Sequence, residues 1–249
     1  MELDFTLDGV SAKSKGVILQ KPIELSPLVP SITTVKIAGR SGNVHIFNDA
    51  YDSRTATATC YCLGDDVTTA MANVSEFLLG TFGERKLGIT SGFHYKAVIT
   101  SAAELQTRLN LLNPFTIVFD CSPFRFADTV QSVQTTQTTR RALRQTSQTP
   151  KNSSTLTNPT PFVAYPRISV NIRGAGTLVV NGETFEIRSP KQPVIATVDS
   201  DRLDVSGATG GLNTLVNWTK FPTLSPGENA ISWSGDINVL SIEPNWRYL

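Results

Sequence analysis

Arg167-Ile168-Ser169-Val170-Asn171-Ile172 alternates polar and apolar side chains without a break, and Thr177-Leu178-Val179-Val180 runs a second β-prone segment into Asn181-Gly182. Alternation with period two puts one face of a strand in a core and the other in water. Asn-Gly favours the two-residue type I′ turn, whose twist matches paired strands. Thr184 to Ile187 brings the chain back. Working outward, Val194 to Val198, Arg202 to Val205, Asn229 to Trp233 and Val239 to Ile242 supply further short strands, and Pro226-Gly227-Glu228-Asn229 reads as a turn. Short strands at this spacing, with no helical segment, predict a β-sandwich or jelly roll from Phe162 onward. Gly174-Ala175-Gly176 and Gly207 to Gly211 read as turn glycines. Neither lies between a strand and a helix of a repeating βα unit, the context a nucleotide-binding loop requires.

The front half mixes periods. Leu3, Phe5 and Leu7 alternate with Asp4, Thr6 and Asp8 in a half-buried strand ending at Gly9. Val17-Ile18-Leu19 can form a second strand, and Lys21 to Pro30, with three prolines, reads as an extended loop. Val35 to Ile37 begins a strand closed by Gly39-Arg40-Ser41-Gly42. Residues 54–63 alternate again, with Thr on one face. Residues 66–79 switch to helical spacing through Val67, Ala70, Met71, Val74, Phe77 and Leu78, with Asp65 or Asp66 as cap and Gly80 as stop. Leu87 to Ile99 reads as a hairpin around Ser91-Gly92. Ser101-Ala102-Ala103-Glu104 has capping-box spacing ahead of Leu105, Leu109 and Leu112, so this stretch is a short helix or a loop followed by a strand. Phe115 to Phe119 is an apolar strand, followed by Pro123-Phe124-Arg125-Phe126.

Residues 128–161 contain no aromatic side chain and are rich in Thr, Gln and Ser. They read either as a solvated linker or as strands completed by partners. The chain is therefore expected to be mainly β: an N-terminal β-sandwich-like domain over residues 1–140 with one or two helices and a β-hairpin, a linker or extended strands over 141–161, and a second β-sandwich over 162–249.

Composition narrows function. The chain has 249 residues, a net charge of +1 and only 17% charged side chains, where about a quarter is usual. Such a balance gives no electrostatic reason for nucleic acid or an anionic membrane as partner. Residues 1–127 and 162–249 each carry about one net negative charge, while Arg140, Arg141, Arg144 and Lys151 against Asp128 make the stretch between them positive. Met1-Glu2-Leu3-Asp4 lacks the basic start and apolar run of a signal peptide, and no run reaches bilayer length. Synthesis and folding in cytosol, without membrane insertion, are expected.

Three cysteines, Cys60, Cys62 and Cys121, are too few and too odd in number for a disulfide scaffold. On a strand, Cys60 and Cys62 would share a face, but two thiols with His45 and His94 as the only imidazoles do not make a recognisable zinc set. Buried reduced thiols are the simpler reading. Asp199, Asp201, Asp204, Glu183 and Glu186 could supply the paired carboxylates of a glycosidase, yet none sits in an acid/base pattern, and Asp199-Ser200-Asp201 reads as a turn. His45 and His94 have no neighbouring nucleophile. Trp218, Trp233 and Trp246 could stack a sugar; Ser232 and Ser234 flanking Trp233 favour a core ring. No catalytic, cofactor-binding or metal residue is assigned, and the chain does not read as an enzyme.

Phe5-Thr6-Leu7-Asp8-Gly9, Val35-Lys36-Ile37-Ala38-Gly39-Arg40-Ser41-Gly42, Phe77-Leu78-Leu79-Gly80 and Phe119-Asp120-Cys121-Ser122-Pro123-Phe124 occur in that order in the front half. Pro166-Arg167-Ile168, Gly174-Ala175-Gly176 and Val180-Asn181-Gly182-Glu183 follow. The chain then ends on Leu224-Ser225-Pro226-Gly227-Glu228-Asn229-Ala230-Ile231 and Ile242-Glu243-Pro244-Asn245-Trp246-Arg247-Tyr248-Leu249. In order and spacing these pieces resemble the distal tail proteins of long, non-contractile-tailed bacteriophages, over essentially the whole chain. The resemblance implies a structural virion protein at the distal end of the tail, assembled in the host cytoplasm. It implies a homohexameric ring built by the N-terminal domains, with a galectin-like C-terminal sandwich projecting outward. The ring would join the tail-tube protein to the tail-associated hub protein, hold receptor-binding protein in some phages, and pass DNA through its channel without specific binding. Open strand edges of the front half, with 128–161 as donor, are expected to be completed by neighbouring copies. The competing reading is a carbohydrate-binding adhesion module.

Overall fold

Asp8 and Gly9 take φ angles of 53° and 83°, the left-handed pair that a two-residue hairpin turn needs. They fold Thr6–Leu7 back on Val10–Ser11. This hairpin starts the first of two units, residues 1–126 and 127–248, in a computed structural model that describes residues 3–63, 67–103, 114–128, 131–132 and 152–249.

In the first unit the antiparallel strand order is Val10–Ser11, Thr6–Leu7, Arg85–Thr90, Phe93–Ala103, Phe115–Ala127, Arg54–Cys62 and Val17–Leu19, with Glu24–Leu25 also on Arg54–Cys62. The expected alternation of Arg54–Cys62 is realised: Ala56, Ala58, Cys60 and Cys62 are buried while Thr55, Thr57 and Thr59 face outward. The helix Val67–Leu79 lays Val74, Phe77 and Leu78 into the same core. That core collects Leu7 from one end of the strand order and Val17 and Leu19 from the other, so the sheet curls around its apolar face. A 3-10 turn, Lys13–Lys15, leads from one end of the sheet to the other. The ends are short and broken. Val10–Ser11 is two residues long, and Pro22 separates Val17–Leu19 from Glu24–Leu25. These ends give a neighbouring strand only a short, interrupted edge to pair with.

Arg85 closes the helix. Its buried guanidinium donates from Nη1 to the Phe77 carbonyl (2.6 Å) and from Nε to Asp8 Oδ2 (2.7 Å), and it lies 5.8 Å from the Phe77 ring centroid. A cation here answers carbonyls that a helix end leaves without intrahelical donors. Partial burial pushes the Asp8 carboxyl up, but the Lys86 N–H bond and the Arg85 guanidinium outweigh it and hold the group below its ordinary value.

The second unit depends on two long strands, Arg167–Val180 and Gly227–Glu243, which pair along most of their length. The sequence reads each as two short strands, and the structure makes each continuous. The reading of Gly174-Ala175-Gly176 as a turn is corrected by the same observation. These residues lie inside Arg167–Val180, at the register shift between Ile172 and Gly176. A Cβ on Gly176 would come within 2.7 Å of Ile237 Cγ2 and the Ser234 carbonyl. Opposite, Gly235 takes φ 81° with the Ala175 carbonyl 2.6 Å from any added Cβ. The paired strands bend sharply where only glycine fits. On one side of the bend Val194–Asp199, Asp204–Gly207 and Gln131–Ser132 extend the sheet; on the other, Glu183–Ile187 and Asn152–Asn158 do. Ile168, Val170, Ile172, Leu178, Trp233, Ile237 and Val239 meet in one core, giving the sandwich expected. Asn181 and Gly182, at φ 52° and 84°, make the predicted turn.

Asn152–Asn158, within the stretch expected to donate strands to neighbours, pairs with Gly227–Trp233 of its own chain. Ser101-Ala102-Ala103 ends the strand Phe93–Ala103 and does not cap a helix; residues 104–113, the remainder of that reading, lie outside the described residues, as do Asp65, Asp66 and the cationic run Arg140 to Lys151.

Asn229 is fully buried, and its amide organises the Ser225–Gly227 turn. Oδ1 accepts from the Ser225 N–H (2.7 Å) and from Asn181 Nδ2 (2.7 Å), while Nδ2 donates to the carbonyls of Ser225 (2.8 Å) and Gly227 (2.9 Å). Asn229→Leu leaves these backbone groups without a partner, and the expected loss is about 3 kcal/mol in denaturant unfolding. For Asp8 the sign is set by the lowered native value. Its contribution is present above the ordinary carboxylate range and is lost as pH falls through the native value. Wild type should therefore melt above Asp8→Asn at about pH 6, and the gap should close toward about pH 3 in paired thermal scans.

Candidate functional site

Pro30–Lys36 and Asn43–Tyr51 form a two-stranded antiparallel sheet with no third strand among the described residues. The sequence points to a strand near Val35 and to the turn Gly39-Arg40-Ser41-Gly42, but not to the return strand Asn43–Tyr51. Ile32 opposite Phe47 and Thr34 opposite His45 share one face of this ribbon; Thr33 opposite Ile46 and Val35 opposite Val44 share the other. Ile32, Val35, Ile46 and Phe47 are all exposed, Phe47 at 66%, and Val29 and Ile37 beside the strands are exposed too. Polar contacts tie the ribbon across its strands: Asn48 Nδ2 donates to Ser31 Oγ (3.3 Å) and to Thr33 Oγ1 (3.1 Å), and Thr34 Oγ1 lies 3.3 Å from His45 Nδ1. At the base, Tyr51 stacks edge-on to Phe124 at 5.7 Å.

A signal for this element does exist in the sequence. Ile32-Thr33-Thr34-Val35 and Val44-His45-Ile46-Phe47 are β-prone runs on either side of a glycine-rich turn. What hides the second run is that both its faces carry apolar residues, so the alternation of a half-buried strand is missing.

The residues weighed for chemistry go elsewhere. Cys60, Cys62 and Cys121 are buried free thiols. Burial pushes Cys60 and Cys121 up to about 12, with the Cys62 thiol and the Asp120 carboxylate, respectively, adding to it. Cys62 Sγ sits 3.9 Å from Met71 Sδ in the core. They are packing groups and not nucleophiles. His45 is exposed on the ribbon, while His94 is buried against the Phe126 ring at 5.8 Å. Trp233 is 1% exposed and Trp246 is also buried. Trp218 is half-buried between Phe185 and Phe221, with its indole N–H donating to the Glu186 carbonyl at 2.8 Å. No shelf of tryptophan faces are brought together. Asp199 accepts from the N–H groups of Asp201 and Arg202 (both 3.1 Å) and pairs with Arg167 (3.2 Å), which is the expected turn; Asp204 accepts from Asn213 Nδ2. Among the described residues no three His, Cys, Asp or Glu side chains are grouped to hold a metal, and no helix is long and apolar enough to cross a membrane.

Among the described residues, the largest apolar side chains left uncovered together are those of the ribbon. No protein-family model and no curated protein matches the chain. Among solved structures it is similar to the crystal structure of SPP1 Dit (gp 19.1), described as a paradigm of the hub adsorption apparatus in phages that infect Gram-positive bacteria. The match covers 100% of both chains at 14% identity, with a TM-score of 0.61. At that identity the likeness is one of fold.

Proposed function

We propose that this chain is a structural subunit of a phage tail tip, and that copies of it close into a ring through the 30–51 ribbon of the first unit. The observation that carries the proposal is the ribbon itself. An isolated two-stranded hairpin is marginal in water, and this one holds Ile32 and Phe47 on one face and Val35 and Ile46 on the other. Cover from another protein would stabilise it by about 1.5–3 kcal/mol for each large side chain buried. A second copy supplies that cover at no cost in further gene products, and a head-to-tail contact repeated around an axis closes on itself.

The fold shared with SPP1 Dit and the order of motifs along the sequence both support placement at the distal end of the tail in the virion. In this reading the first unit forms the ring and its channel, six copies close it, and the second unit lies outside. The ring stands between the tail-tube protein and the tail-associated hub protein, near the receptor-binding apparatus, and DNA passes without sequence-specific contact. Assembly takes place in the host cytoplasm. The role is structural and not enzymatic: Asp199 and Asp204 are engaged in turns, and the thiols are buried. The adhesion-module reading needs exposed aromatic faces, and Trp233 and Trp246 are core residues instead.

Mass photometry of the full chain over a range of concentrations tests the ribbon. Wild type should show a discrete closed oligomer. Phe47→Asp and Ile46→Asp, on opposite faces, should each dissociate it to smaller species, costing about 2 kcal/mol or more per contact. The dissociated subunit should keep its fold by circular dichroism, because both side chains are exposed, and its melting temperature should fall only by what assembly itself contributes. An oligomer that survives both substitutions would rule out the ribbon as the ring contact.

A further inference from the structure

Asn181-Gly182 is the one Asn-Gly pair in the chain. Both residues are exposed, at the tip of the hairpin that joins Arg167–Val180 to Glu183–Ile187. In this dipeptide a side-chain amide is readily lost, because glycine has no Cβ to shield its nitrogen from the preceding amide carbon. The Asn181 amide, however, is tied at both ends. Its Nδ2 donates to Asn229 Oδ1 (2.7 Å), and its Oδ1 accepts from the Ala230 N–H (3.1 Å). The Asn181 N–H donates in turn to the Ala230 carbonyl (2.9 Å). Asn229 is fully buried and fixed by its own bonds to the Ser225 and Gly227 carbonyls. The strand that holds the amide, Gly227–Glu243, carries Ile231 and Trp233 into the core of the second unit. Asp8-Gly9, the one Asp-Gly pair, repeats the arrangement in the first unit. There Oδ1 accepts from the Lys86 N–H (2.9 Å) and Oδ2 from Arg85 Nε (2.7 Å). Both pairs occupy left-handed turns, and in both the side chain is tied to a neighbouring strand.

We infer that Asn181 is a latent modification site, and that its bonds to Asn229 and Ala230 keep it unmodified in the folded chain. In the reaction the Gly182 nitrogen attacks Asn181 Cγ and gives up its proton. The new C–N bond closes a succinimide ring, and the side-chain nitrogen leaves with that proton as ammonia. Water then opens the ring at either carbonyl, leaving aspartate or isoaspartate. Water is consumed, ammonia is released, and nothing is oxidised or reduced. Expelling the amide nitrogen gives up its bond to Asn229, so closure has to work against the network that holds the turn. Either product then prevents the turn from re-forming as it was. A carboxylate has no N–H to give Asn229 Oδ1, so two acceptors face each other where a 2.7 Å hydrogen bond had been. Isoaspartate adds a methylene to the backbone of a turn whose two-residue length sets the strand register. The site therefore responds to opening of the hairpin, and it records that opening irreversibly. This inference does not depend on what the chain assembles with.

Peptide mapping by mass spectrometry reads the conversion directly, on the full chain incubated in mildly alkaline buffer. In strong denaturant Asn181 should convert first among the asparagines. In native buffer it should convert more slowly by about tenfold or more, because only molecules with an open hairpin react. Asn229→Leu, incubated at a temperature where circular dichroism shows it folded, should raise native conversion at Asn181 by about tenfold. Conversion at Asn48, on the other unit, should stay at the wild-type rate. Asn181→Asp, which installs one product, should melt below wild type. The inference is overturned if native wild type converts Asn181 as fast as the denatured chain, or if folded Asn229→Leu converts it no faster than wild type. The comparison of native with denatured chain uses wild type alone, so it decides the matter even where the variant does not fold.

Discussion

A β-ribbon of two strands has two faces and no interior. Whatever apolar side chains it carries must be covered by something else, and here the 30–51 ribbon carries them on both faces. The role proposed for the first unit rests on that constraint. The curled sheet beside it satisfies itself: its helix and its two short ends share one core, and Pro22 interrupts the strand at one border. A sheet finished in this way resists adventitious edge pairing. The ribbon has no such core of its own, and Ile32, Val35, Ile46 and Phe47 stay exposed on it.

The second unit meets the opposite problem, since it must finish itself without a helix. It does so by making two strands long enough to serve both layers and bending them together at Gly174–Gly176 and Gly235. Bending a sheet exposes backbone groups near its corners and turns, and the Asn side chains answer them. Asn229 serves the Ser225–Gly227 turn, Asn158 Nδ2 donates to the Phe162 carbonyl, and Asn245 Nδ2 donates to the Tyr165 carbonyl. This accounts in physical terms for the segments Leu224 to Ala230 and Glu243 to Arg247. They are side-chain hydrogen bonds that substitute for a missing ladder partner.

Legibility in the sequence tracks the number of partners a residue has within its own chain. Arg54–Cys62, Phe115–Phe119 and the Asn181-Gly182 hairpin were readable because one face of each meets a core and the pattern of period two records it. The helix was readable for the same reason at period 3.6. The unity of Arg167–Val180 was not, because glycines that usually punctuate strands here permit a bend within one; only the neighbouring Ser234 carbonyl and Ile237 side chain reveal why. The return strand Asn43–Tyr51 was not readable either. Its outward residues are apolar on both faces, so the alternation that marks a half-buried strand is missing.

The ribbon has unlike features along its length: cations Lys36 and Arg40 toward the tip, Asp49 and Asp52 toward the base. In the assembly proposed above, an element of this kind meets a different part of its neighbour and not its own copy. A contact between unlike patches gives a ring where the rotation between subunits closes and an open filament where it does not, so in that proposal the angle at which the ribbon seats on its neighbour, and not the strength of the contact, sets the number of copies.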